Sequence, residues 1–313
     1  MIYLGIDTSN YTTSAAIYDS ELRTVRQNKK LLSVKAGEVG LRQSEAVFQH
    51  VKQLPEVIDG LVNDCEIVTA IGVSSRPRNI EGSYMPCFMV GETVARSISA
   101  VGNMPVYKTS HQVGHVLAAL YSCQRLDLLK SEKPFVAFHV SGGTTDCLLI
   151  EADKEEVIKA TEISSSLDLK AGQLIDRVGV TLGLGFPCGK ELEKLASEST
   201  AKFKPKATIK NGNCCLSGVE NQCRDMYSKG AEKCDVALFA LKSVEAAIYE
   251  MTKYAVSKCG NLPVVYAGGV MSDNLIRGRL EGTFDSYFAE PAFSQDNAVG
   301  VAIFSALKDG CKL

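Results

Sequence analysis

A design that recurs along the chain constrains the fold most: a short apolar strand runs into small, hydroxyl-bearing residues and then into another strand or a helix. It occurs first at Ile2-Tyr-Leu-Gly-Ile-Asp7-Thr8-Ser9, continuing as Thr13-Ser-Ala-Ala-Ile-Tyr18. It returns at Phe135-Val-Ala-Phe-His-Val140-Ser141-Gly142-Gly143-Thr144-Thr145-Asp146, continuing as Cys147-Leu-Leu-Ile150. A third copy, Leu262-Pro-Val-Val-Tyr-Ala267-Gly268-Gly269-Val270, leads to Ser272-Asp273-Asn274-Leu275 and a helical pattern. The first two predict β-hairpins with turns rich in hydroxyls and glycine. Exposed backbone N–H groups at such turns form anion-binding concavities, and glycine lets the backbone approach a phosphate closely. The third predicts a strand, a Gly-Gly turn and a helix capped by Ser272 or Asp273. Two such hairpin turns roughly 135 residues apart, with the late Gly-Gly-Val, predict a duplicated nucleotide-binding architecture.

Helical patterns lie between these strands. Apolar spacing predicts helix from Ser44 to Cys65, with Pro55 breaking or restarting it. Glu92 to Ala100 and Ala237 to Lys258 also read as helix, and the chain ends in a helix for which Asp296 is the expected N-cap. Strands alternating with helices place the chain in the α/β class.

With 313 residues the chain has ample capacity for a core, in one large domain or two modest ones. A hydrophobic share of 45% against 22% charged residues fits an ordinary globular protein. The net charge of −2 gives no global electrostatic case for nucleic acid. Two local basic clusters stand out, Arg23, Arg26, Lys29 and Lys30, and Lys202, Lys204, Lys206 and Lys210, each readable as a solvated surface or a basic face. Eleven cysteines without a Cys-x-x-Cys pair, several in apolar runs (Cys65, Cys87, Cys147), predict buried thiols in a reducing compartment. The start shows no signal-peptide pattern and no stretch reaches the length of a membrane span, so a cytoplasmic protein is expected.

Two of the four histidines, His111 and His115, stand four residues apart in a helical segment. That spacing puts both imidazoles on one helix face, where they could ligate one metal ion or simply sit as polar residues on an amphipathic helix. A zinc protease of the His-Glu-x-x-His type needs a carboxylate beside the first histidine, and Gln112 stands there instead, so protease activity is not expected.

The order of these motifs resembles one family nearly end to end. The series runs Gly5-Ile-Asp-Thr-Ser, Gly82-Ser83, His111-x-x-x-His115, Ser141-Gly-Gly-Thr, Ala171-Gly-Gln-Leu-Ile-Asp176, Phe186-Pro-Cys-Gly189, Ser217-Gly218, Gly-Gly-Val270 and Gln295-Asp296-Asn297. It is similar to the tRNA N6-adenosine threonylcarbamoyltransferase family, formerly regarded as glycoproteases of peptidase class M22. The resemblance implies a two-lobed, actin-like ATPase fold of the sugar kinase/Hsp70/actin type, with a nucleotide cleft between lobes expected at 1–108 plus 297–313 and at 109–296. It implies that His111, His115 and Asp296 bind one divalent metal, iron or zinc, although Asp296 also suits a capping role. Val140, Ser141, Gly142 and Gly143 would contact the phosphate of an adenine nucleotide or acyl-adenylate, and Asp176, Gly189 and Asp273 its ribose or base. The implied reaction moves a threonylcarbamoyl group from its adenylate to N6 of a tRNA adenosine. The implied partners are tRNA and companion subunits or a second copy of the chain.

The departures point to a diverged paralogue. The acidic pair usual after the first Thr-Ser is replaced by Asn10-Tyr11-Thr12-Thr13, so Thr12 stands near the family's acidic position and the catalytic residue is unassigned. Two loop glycines are Arg76 and Arg78, placed either to bind an anion or to face solvent; Glu220, Gln173 and Asp273 replace the usual Lys, Glu and Asn. Two other readings follow: a non-catalytic scaffold paralogue, and a small-molecule kinase on the same fold with Asp7 or Asp146 serving Mg²⁺.

Overall fold

The computed structural model describes residues 1–9, 11–34, 41–62, 66–131, 133–295 and 297–312. The elements are β1 (Ile2–Asp7), β2 (Thr12–Asp19), β3 (Thr24–Leu31), α1 (Gln43–Ile58), β4 (Val68–Arg76), α2 (Phe88–Gly102), β5 (Val106–Ser110), α3 (His111–Ser122), β6 (Phe135–Val140), β7 (Thr145–Asp153) and β8 (Val157–Ser165). They continue as α4 (Ala171–Thr181), α5 (Gly189–Ser197), β9 (Thr208–Lys210), β10 (Asn213–Cys215), α6 (Ser217–Ser228), α7 (Lys233–Cys259), β11 (Val264–Ala267), α8 (Asn274–Glu281), β12 (Ser286–Phe288), α9 (Pro291–Ser294) and α10 (Val299–Lys308). They form two compact units: Met1–Glu132 with Ala152–Lys159 and Gln295–Leu313, and Lys133–Glu151 with Ala160–Ser294.

In the first unit the sheet order is β3-β2-β1-β4-β5, with β1 antiparallel to β2 and parallel to β4. Period-two alternation divides β1 between two faces. Ile2, Leu4 and Ile6 pack with Leu54 and Val57 of α1 and Val90 and Ala95 of α2. The opposite face carries Gly5, in register with Gly72 of β4, and α10 lies directly on these two glycines. A Cβ at Gly300 of α10 would overlap the Gly114 carbonyl of α3, so the α3–α10 packing depends on glycine there.

This seat corrects the expected lobe boundary after residue 108. Helix α3 belongs to the first unit, held through Gly114 and Gly300, a long-range pairing that no local pattern reveals. Pro55 does not break α1; it lies in the last turn, and the helix ends three residues later at Ile58. There the missing N–H costs a single intrahelical bond.

In the second unit the order is β12-β11-β6-β7-β8, so read from the other edge it repeats the first: one central strand with an antiparallel neighbour on one side and two parallel strands on the other. Its core joins Val136, Phe138 and Val140 of β6 to Leu174 and Val178 of α4 and to the long α7. Phe138, Tyr266 and Phe288 stack across β6, β11 and β12, with centroids 5.1 and 4.7 Å apart. Cys87 and Cys147 are buried, whereas Cys65 lies outside the described residues. Among the described residues no helix is long and apolar enough to cross a membrane.

Candidate functional site

In the first unit, parallel strands β1, β4 and β5 place Asp7, Ser74 and Ser110 at one edge of the sheet. Carboxyl ends of parallel strands are where α/β sheets position ligands. Asp7, 1% exposed, accepts from the Ser9 backbone N–H at 2.8 Å and from Ser74 Oγ at 2.7 Å. Its other oxygen lies 2.7 Å from His111 Nδ1, the first residue of α3. One turn on, His115 Nε2 is 2.8 Å from His111 Nε2, with the ring centroids 4.2 Å apart.

A proton on His111 Nδ1 answers the Asp7 carboxylate and leaves the Nε2 lone pair facing His115. A carboxylate on the far nitrogen of an imidazole is the arrangement that fixes tautomer and ring orientation in metal sites. The donor set therefore fits an ion ligated by the paired Nε2 atoms. Among the described residues no set of three His, Cys, Asp or Glu side chains is arranged to hold a metal; the expected third ligand, Asp296, lies outside them. Ser9 Oγ sits 2.9 Å from the same His111 Nδ1 that meets Asp7. A Ser-His-Asp relay needs serine and carboxylate on opposite ring nitrogens, so these three residues do not form one.

Sequence reading treated Asp7 as a kinase-type Mg²⁺ carboxylate and gave no role to Ser9 or Ser74. Ser9 is a local partner two residues from Asp7, whereas Ser74 is brought to it only by the parallel pairing of β4 with β1. Thr12 is buried at the start of β2, opposite Leu31. Arg76 donates to Glu156 at 3.3 Å, within the same unit, so its charge is already paired.

In the second unit the predicted hairpin forms: β6 ends at the buried Val140, and the turn Ser141–Thr144 closes with Ser141 N–H on the Thr144 carbonyl at 2.7 Å. The start of α4 butts against this turn. Ala171 N–H donates to Thr145 Oγ1 at 2.9 Å, and a Cβ at Gly172 would overlap the Gly142 backbone. At Gly142, Gly143 and Gly189, by contrast, a Cβ would meet nothing within 4 Å. Neither packing nor backbone conformation of the protein requires glycine at those positions. The backbone at these positions is open to close approach.

Asp176, on α4, accepts from Cys188 N–H at 2.9 Å beside the start of α5 at Gly189. Its carboxyl is pushed up by burial, opposed by that hydrogen bond. Asp273 caps α8, accepting from Leu275 and Ile276 N–H at 2.8 and 3.2 Å. Burial, and then the neighbouring Glu193 charge, raise its pKa to about 6. Val140, Ser141, Gly142 and Gly143 thus share one turn, Asp176 and Gly189 adjoin each other, and the Asp273 carboxylate is committed in part to its own helix.

Residues 24–303 match the family described as tRNA N6-adenosine threonylcarbamoyltransferase. The chain belongs to that family. A curated tRNA N6-adenosine threonylcarbamoyltransferase of Thermococcus sibiricus is 28% identical over 286 residues, covering 90% of this chain and 82% of the relative. Among solved structures, full-length HypF in its phosphate- and nucleotide-bound form matches 96% of this chain with a TM-score of 0.60 at 11% identity; the chain spans 45% of HypF. A ROK family glucokinase from Streptomyces griseus, in complex with glucose and AMPPNP, matches with a TM-score of 0.55 at 11% identity, over 98% of this chain and all of that one. These likenesses establish the expected α/β, actin-like fold, and the family is one of tRNA-modifying transferases.

Proposed function

We propose that this threonylcarbamoyltransferase family member transfers a threonylcarbamoyl group from its adenylate to N6 of a tRNA adenosine. The observation that carries the reading is the paired imidazoles of His111 and His115, oriented by Asp7, in a chain that also keeps the open Ser141–Thr144 turn. The backbone of Val140–Gly143 binds the adenylate phosphate, and Asp176, Gly189 and Asp273 stand for the ribose or base. His111 and His115, with Asp296, would hold iron or zinc, which when bound supplies Lewis-acid polarisation and a template for substrate oxygens.

In the reaction the N6 nitrogen forms a bond to the carbamoyl carbon, and the bond from that carbon to the phosphate oxygen breaks. The amine becomes acidic once it has attacked, and the departing phosphate, with a second pKa near 6, takes its proton. A dedicated carboxylate base is then dispensable, which reconciles activity with Thr12 at the acidic position. The buried placement of Thr12 also favours a second reading, a non-catalytic scaffold that binds nucleotide and tRNA. A kinase reading loses support because the Asp7 carboxylate is engaged by Ser9, Ser74 and His111. Companion subunits or a second copy, and a cytoplasmic location, belong to the same proposal.

The test combines purified protein, threonylcarbamoyl-adenylate and unmodified tRNA, with metal content measured in parallel. Bound metal and modified adenosine in the wild type, both lost in His111→Ala, is the expected result. Metal and nucleotide binding without transfer would install the scaffold reading.

A further inference from the structure

The lysine cluster at 202–210 has no role in the transfer chemistry, and the structure arranges it in a particular way. From Ala201 to Lys210 exposure alternates strictly. Lys202, Lys204, Lys206, Thr208 and Lys210 are exposed, while Phe203, Ala207 and Ile209 pack onto the core of the second unit. Phe203 anchors the segment edge-on to Phe239 at 5.5 Å. An extended chain places alternate side chains on one side about 6.6 Å apart. The result is a comb in which Lys202, Lys204 and Lys206 follow at a pitch comparable to that of successive phosphates along a nucleic-acid strand, and Lys210 stands one tooth further on, past Thr208.

The comb is electrostatically unbalanced. No acidic residue occurs between Glu198 and Glu220, and among the described residues none of the four lysines makes an ion pair, whereas Lys30, Lys108 and Lys253 pair with Glu56, Glu92 and Glu250. The carboxylate beside them, Asp168, is taken up by Leu169 N–H, Leu216 N–H and the N–H and hydroxyl of Ser217. Next to the comb opens a cavity of about 360 Å³, lined by Lys206, Lys210, Thr208, Ser217, Gln222 and Phe239, among others. Beside the Asp168 carboxylate, whose oxygens are already engaged by Leu169, Leu216 and Ser217, it combines two cations, hydroxyl and amide groups and an aromatic ring. Those are the groups that hold a phosphate and an unstacked base of single-stranded RNA.

We propose that Lys202, Lys204, Lys206 and Lys210 form a docking strip for the phosphodiester backbone of the tRNA substrate, with the adjacent cavity receiving one unstacked nucleotide. The inference rests on the tRNA-modifying reading above. Lysines act here as point charges on phosphates, so the strip contributes affinity and orientation rather than sequence readout.

The test measures tRNA affinity across a salt series for wild type and for the variant K202Q/K204Q/K206Q/K210Q, with circular dichroism confirming an unchanged fold. Each neutralised phosphate contact carries a salt slope of about 0.7, so the variant's log affinity should fall less steeply with log salt, by about 3. Its affinity should drop at least tenfold at low salt. Amine acylation of these lysines should be suppressed by tRNA. Wild-type binding with an undiminished variant and an unchanged slope overturns the strip alone. Absence of any wild-type tRNA complex overturns the tRNA reading as well. Protection by an acidic polypeptide but not by tRNA assigns the strip to a protein partner and also overturns the inference.

Discussion

The two units share one strand order but put it to opposite uses at their first hairpin turn. In the first unit the turn after β1 is closed by the protein itself. Thr8 Oγ1 donates to the Cys87 carbonyl and accepts from Gly91 N–H, Ser9 reaches His111, and Asp7 gathers Ser74 and His111. In the second unit the equivalent turn after β6 rests against the start of α4 but has nothing within 4 Å of the positions where Gly142 and Gly143 would carry side chains. A duplicated scaffold has thus diverged into a turn that organises imidazoles and a turn whose backbone is left open. Side-chain hydrogen bonds decide the first role, and missing side chains decide the second.

The largest expected effects break the closed turn. His115→Ala removes one of two paired nitrogens and should reduce retained iron or zinc more than a hundredfold, read by elemental analysis after dialysis against a graded chelator. Asp7→Asn keeps both imidazoles but places an amide against His111 Nδ1, free to present either its oxygen or its NH₂ group. Loss of an orienting carboxylate typically weakens a metal tenfold to a hundredfold. The variant should fall in that range and shift the imidazole ¹⁵N resonances of His111 toward a mixed tautomer. Retention equal to wild type would show that Asp7 supports the sheet edge and not the imidazole pair.

The open turn predicts a contrast between two glycines in contact with each other. Gly172→Ala drives a methyl group into the Gly142 backbone and should destabilise the protein by about 2–3 kcal/mol in urea titration. Gly142→Ala meets no protein atom, so its unfolding midpoint should stay within about 0.5 kcal/mol of wild type. Its affinity for an adenine nucleotide, measured by calorimetry, should nonetheless fall about tenfold or more. Loss of stability without loss of nucleotide binding would reverse the assignment of the turn.

Much of this arrangement was legible in the chain because local rules govern it. Hydroxyls and glycines after an apolar run marked both hairpins, Asp273 followed from a Gly-Gly turn before a helical pattern, and the four-residue spacing of the histidines put both on one face of α3. What escaped was set by pairing at a distance. Ser74 meets Asp7 only because β4 lies parallel to β1, and α3 falls in the first unit only because Gly114 and Gly300 let two backbones touch. The basic run at 202–210 was visible as composition. Its one-sidedness depends on Phe203, Ala207 and Ile209 finding the core of the second unit, which spacing alone did not fix.

The smallest predicted effect sharpens the contrast at α8, where the family usually carries Asn and this chain carries Asp273. The carboxyl has a pKa of about 6 in the folded protein against 3.8 for an ordinary aspartate in water. Because folding raises that pKa, the folded state holds a proton that the unfolded state has already lost between about pH 4 and pH 6. Stability contributed by this group is therefore complete below pH 4 and declines as pH rises through 6. Asparagine caps a helix as well as aspartate and carries no charge to desolvate. Asp273→Asn should match wild type below pH 4, pull ahead between pH 4 and pH 6, and exceed it at pH 8 by roughly 1–2 kcal/mol, a few degrees in thermal melting. A melting curve for the variant that keeps the wild-type pH profile would mean that the buried cap is charge-neutral for another reason. An equal loss at every pH would mean that the second carboxylate oxygen accepts a bond that asparagine cannot replace.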